Sequence, residues 1–112
     1  MSTEELKISA EMFPVSGWDE ISDAQEQGRV GAFFFSETED GDQRYLSLVV
    51  VIPDHGENHA ELASLPLRPA TPRNGRASWE WDGNRERPTL SPSLHRPGVW
   101  HGYIRAGRLE SC

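Results

Sequence analysis

Cysteine is nearly absent from this 112-residue chain, and its one thiol, Cys112, excludes both an internal disulfide and a metal site made of cysteines alone. Lysine is as scarce, with Lys7 alone among eleven cationic residues. No apolar run approaches the roughly 20 residues that span a bilayer as a helix. The opening Met-Ser-Thr-Glu-Glu lacks the basic and apolar regions of a secretion signal. These absences point to a cytoplasmic protein with no membrane contact. Apolar residues are also sparse, at 36%, and mean hydropathy is −0.63. Four Trp, four Phe and two Tyr offset this shortage, because large aromatics bury much area per residue. One domain over residues 1–112, with a single modest core, is therefore expected.

The formal net charge of −7 hides an asymmetry. Residues 1–61 hold fourteen Asp/Glu against three Lys/Arg, and residues 62–112 hold four against eight. A nucleic-acid binder concentrates basic charge on one face, so the acidic half argues against that class. The basic half suits an acidic protein partner as well as it suits plain solvation.

Two strands stand out, Arg29 to Ser36 and Arg44 to Ile52, joined as a hairpin by the acidic turn Glu37–Gln43. In the second, Leu46, Leu48, Val50 and Ile52 share one face while Tyr45, Val49 and Val51 share the other. A strand apolar on both faces belongs in the middle of its sheet. Upstream, Leu6 and Ile8 alternate as in a short strand. Trp18 to Gln27 reads as a short helix, with Ser16 or Asp19 as cap, Gly28 as terminator, and Trp18, Ile21 and Ala24 as its apolar stripe. Leu62 to Leu67 is a short apolar stretch, and Asn74-Gly75 a turn. Ala77, Trp79 and Trp81 alternate with polar residues. Val99–Arg105 alternates too, placing Trp100, Gly102 and Ile104 opposite Val99, His101 and Tyr103; Ala106-Gly107 then turns into a strand over Arg108–Ser111. The expected fold is mainly β (α+β): a small antiparallel sheet or partly open barrel with one short N-terminal helix.

Between the tryptophan strand and the strand holding His101 lies Arg87-Pro-Thr-Leu-Ser-Pro-Ser-Leu94. Pro88 and Pro92 stiffen it, and three hydroxyls (Thr89, Ser91, Ser93) ride on it. Serine is inert until a neighbouring base takes its proton, so hydroxyls near a histidine suit nucleophilic catalysis. They suit equally a proline-punctuated connection whose hydroxyls satisfy the backbone. A second polar stretch, Pro53-Asp-His-Gly-Glu-Asn-His-Ala-Glu61, sets His55 and His59 four apart. On a helix they would share a face, as zinc ligands do. Gly56 and Asn58 oppose a helix and favour a polar turn.

The run Trp79-Glu-Trp-Asp-Gly-Asn-Arg-Glu-Arg-Pro-Thr-Leu-Ser-Pro-Ser-Leu94, followed by Trp100-His-Gly-Tyr-Ile-Arg-Ala-Gly107, resembles a small domain family found in phages and in bacterial ubiquitin-like conjugation (Bub-type) operons. Pro53–His59 and Leu65-Pro66-Leu67 resemble that family's upstream Cys-Pro-x-Cys-Gly-x-x-His and Leu-Pro-Leu stretch, with Val51 or Ile52 and His55 standing where it has cysteines. The family's distal Asp-Cys-x-His tail is represented by Ser111-Cys112 alone. The resemblance implies a deubiquitinase-like serine peptidase or isopeptidase that processes or deconjugates a bacterial ubiquitin-like protein. It assigns Ser93 as nucleophile and His101 as general base, without a cofactor.

His59 is the leading candidate for the third group, which would hold the second nitrogen of His101, and Asp54, Glu57 and Glu61 are its rivals. Arg87, Thr89, Ser91 and Arg96 are candidates for contacting substrate. Two other readings stand beside this one. The first is a zinc-dependent hydrolase or metal-binding domain using His55, His59 and His101. The second is a non-catalytic interaction module, from a phage or a bacterium, built on the acidic half.

Overall fold

The computed structural model describes residues 9–54, 60–72 and 75–112. Its elements run β1 (Ser9–Glu11), β2 (Phe13–Pro14), α1 (Trp18–Glu26), β3 (Ala32–Asp40), β4 (Gln43–Pro53) and β5 (Ala60–Pro66). After these come β6 (Glu80–Trp81), β7 (Leu90–Ser91), β8 (Leu94–Arg96), β9 (Trp100–Arg105) and β10 (Arg108–Ser111). The expected strand around Leu6 and Ile8, the histidines His55 and His59, and Asn74 lie outside the described residues.

The strands form two four-stranded sheets, ordered β2-β3-β4-β5 and β1-β10-β9-β8, with a separate β6-β7 ribbon. All pairings of the named strands are antiparallel except β2 with β3. The fold is thus mainly β with one short helix. It takes two open sheets, where one sheet or a partly open barrel was expected.

β4 lies between β3 and β5, as its double-sided apolar pattern requires. Leu46, Leu48, Val50 and Ile52 face the second sheet, where Leu94, Trp100 and Leu109 meet them in the main core. Val49 and Val51 face the other way, onto Ile21 and Ala24 of α1. The order of layers is therefore helix, first sheet, second sheet, and the outer face of the second sheet is open to solvent. No helix among the described residues is long and apolar enough to cross a membrane.

Three boundaries differ from the pattern-based expectation. The β3–β4 strands run on until Asp40 faces Gln43, so the seven-residue turn shrinks to Gly41-Asp42, with Gly41 at φ 62°. Polar alternation had masked strand character in residues 37–43. The helix starts at Trp18 with Gly17 at the N-cap and no side-chain cap; the Ser16 N–H ahead of it donates to the Glu20 carboxylate at 3.0 Å. The stretch after residue 76 pairs only at Glu80–Trp81, plus a single parallel bridge from Trp79 to Leu67.

Two predictions follow from these contacts. A Cβ at Gly102 would collide with the Trp100 indole and the Glu110 carbonyl. Gly102→Ala should therefore lower unfolding free energy by about 2–3 kcal/mol, read by urea titration. The Ser16 N–H, the main cause, together with Arg29, holds the Glu20 carboxyl below the usual carboxylate range. That lowered pKa adds stability above the unfolded-state pKa, and the gain fades as pH falls through the folded-state one. Melts across a pH series should show a shallower acid decline for Glu20→Gln.

Candidate active site

The site sits on the solvent-facing side of the β8–β9 hairpin. Pro97 and Gly98 (φ 76°) turn the chain, and the register pairs Leu94 with Gly102, His95 with His101, and Arg96 with Trp100. Leu94, Trp100, Gly102 and Ile104 are buried, whereas His95 and His101 are exposed. Side chains alternate faces along a strand, so the hydrophobic demand of Trp100 and Ile104 pushes His101 outward. Ser93, just ahead of β8, shares the parity of His95 and joins the same face. There its Oγ lies 3.2 Å from His101 Nε2.

The segment ahead of Ser93 is anchored at several points. Asp82 and Asn84 side chains accept the N–H groups of Asn84, Glu86, Arg87 and Thr89. The Trp81 indole donates to the Asn84 carbonyl at 3.1 Å. Downstream, Thr89 Oγ1 accepts the Ala106 N–H at 2.8 Å, and the Gly107 N–H donates to the Pro88 carbonyl at 3.0 Å. The β9–β10 turn therefore clamps the loop close to the strand that carries His101.

Other site candidates are dispersed. Ser91 is exposed and pairs with Glu80 in the ribbon. Arg87 is exposed on the loop, its Cα packed against Gly107. Arg96 donates to Glu61 at 3.3 Å, so this rival for the third catalytic group is engaged with a guanidinium, linking β8 to β5. Asp54 follows the end of β4. His59, His55 and Glu57 lie outside the described residues, and so do two of the three ligands of the metal reading. Among the described residues no group of three His, Cys, Asp or Glu is placed to hold a metal ion.

One residue that the sequence reading passed over belongs to the site. His95 faces His101 directly across the hairpin, ring centroids 4.6 Å apart and planes inclined by 41°. The signal was available: with Pro97-Gly98 as the turn, strand alternation places residues 93, 95 and 101 on one face.

A hydroxyl within hydrogen-bonding reach of an imidazole nitrogen, on an accessible surface, is the arrangement that a serine hydrolase uses to activate its nucleophile. A family model described as "Bacterial ubiquitination-like system serine protease (BubE)" matches residues 26–112, and the chain belongs to that family. No curated protein and no solved structure matches it.

The anchoring of the loop can be measured. Thr89→Val removes the acceptor of the exposed Ala106 N–H and should cost about 0.5–1.5 kcal/mol in urea unfolding. Ser91→Ala, on an exposed side chain, should stay within about 0.5 kcal/mol of the parent.

Proposed function

We propose that this chain is a serine peptidase or isopeptidase that matures a bacterial ubiquitin-like protein or removes it from its targets. Ser93 is the nucleophile and His101 the general base. The reading rests on the 3.2 Å contact between Ser93 Oγ and His101 Nε2, and membership in the serine protease family supports it.

The chemistry uses the chain's own side chains. As Ser93 Oγ bonds to the carbonyl carbon, its proton passes to His101 Nε2. The tetrahedral oxyanion collapses by expelling the amine, which takes that proton, and an acyl-serine remains. Water then repeats the sequence: His101 accepts its proton, the carboxylate leaves, and the Ser93 hydroxyl is restored. The Ser93 N–H is a donor candidate for the oxyanion, since Pro92 has none. His95, packed on His101, is a positioning residue that restricts how far the imidazole can swing. Arg85, Arg87 and Arg96 border the loop as contacts for an acidic or carbonyl-rich tail, although Arg85 also lies over the Phe35 and Trp81 rings and Arg96 also donates to Glu61.

Ser93→Ala and His101→Ala should each lower kcat/KM for cleavage of a ubiquitin-like fusion by about 10³-fold or more. Thermal melts should be nearly unchanged, because both groups lie on the outer face. A fluorophosphonate should label Ser93, mapped by mass spectrometry, and labelling at any other serine would refute the assignment.

A further inference from the structure

A strand at the rim of a sheet turns alternate N–H and C=O groups outward, where another chain can pair with them. β8 is such a rim strand. The other side of β9 decides which of its groups point out. The His101 carbonyl accepts the Cys112 N–H at 3.1 Å, so the backbone of His101 faces β10. Its pairing with His95 is therefore the non-hydrogen-bonded kind, and the His95 N–H and C=O point away from β9. Among the described residues, no group meets them. The outer rim of the other sheet is occupied: on β5, the Arg76 side chain donates to the Ser64 carbonyl at 2.7 Å and the Trp79 N–H to the Pro66 carbonyl at 2.9 Å.

We propose that the outer rim of β8 docks the substrate's tail as an added antiparallel strand, which delivers the scissile carbonyl to Ser93. This inference rests on the peptidase reading above. A chain running against β8 moves toward Ser93 as it nears its scissile bond. The third residue before that bond then faces His95 and exchanges both backbone hydrogen bonds with it. The residue carrying the scissile carbonyl lies two positions on, about 7 Å along the strand, opposite Ser93. The residue between them turns its N–H away from β8. The occupant must be an unfolded, extended segment such as a C-terminal tail, because a strand inside a folded domain has already committed its hydrogen bonds. Recognition here is by backbone, as in other strand-addition complexes.

The test uses the full chain and acetyl-Ala-Ala-Ala peptides ending in a diphenyl phosphonate analogue of glycine, with a small fluorophosphonate as control. Three peptide forms are compared: unmodified, N-methylated at the third residue counted back from and including the phosphonate, and N-methylated at the second. The expected result is phosphonylation of Ser93 that is faster for the unmodified peptide than for the control. Methylation at the third residue should slow it by about three- to tenfold, and methylation at the second by less than about twofold. If the control labels Ser93 but the two methylated peptides react alike, or the peptide brings no gain over the control, the docking mode is overturned and the peptidase reading stands. If neither control nor peptide labels Ser93, the peptidase reading fails and the docking mode fails with it.

Discussion

Everything distinctive about the site depends on the register of the β8–β9 hairpin. Three cross-strand pairs decide it, and each has a physical reason to prefer this alignment. Trp100 must be buried, and it fits because Gly102, two residues on, has no side chain to oppose its indole. Its Nε1 is satisfied by Ser111 Oγ at 3.0 Å, so burial leaves no orphaned donor. Ile104 and Leu109 extend the same buried face. A slip of one residue would drive His101 into the core and Trp100 into water, exchanging the two faces. The packing of the apolar face thus holds the polar face in place.

The layers divide the work. Val49 and Val51 hold the helix, Leu48, Val50 and Ile52 build the main core, and the second sheet spends only its inner face on stability. A fold this small has little interior to spare for a polar cluster, and an exposed Ser-His pair avoids the desolvation that burying it would cost. The restraint around the pair comes from its periphery. Thr89 and Pro88 bind the loop to the β9–β10 turn, Arg96 reaches Glu61 across to β5, and the His95 ring lies on that of His101. These contacts are modest singly, yet they fix the loop before Ser93, the strand after it and the imidazole beside it.

Much of the architecture was legible in the residues. The alternation in Val99–Arg105 separated His101 from Trp100, Gly102 and Ile104, and the double-sided apolar run of 45–52 placed its strand between two others. What escaped was governed by contacts the pattern does not carry. The acidic residues 37–40 read as a turn, but they pair with 43–46 because the tight turn at Gly41-Asp42 extends the ladder. Ser16 and Asp19 looked like helix caps, yet Gly17 holds the N-cap position with no side-chain cap, and Glu20 reaches back to the Ser16 N–H ahead of the helix. The hydroxyl of Thr89 accepts the Ala106 N–H, a loop-to-turn contact that no local pattern announces. No motif marks His95; its one signal is the Pro97-Gly98 turn with strand alternation on either side, which the pairing realises opposite His101.

From the order of its residues alone, this chain was bound to be mainly β, with His101 on the polar side of its strand and stiff prolines flanking its hydroxyls. Those properties follow from side-chain alternation and from proline's fixed φ, which act within a few residues. Tertiary structure decided which hydroxyl meets the imidazole, which carboxylate is taken by an arginine, and which strand forms the rim beside the Ser-His pair. These outcomes depend on pairing between strands far apart in the chain, where one sheet closes over another and local preference has no say.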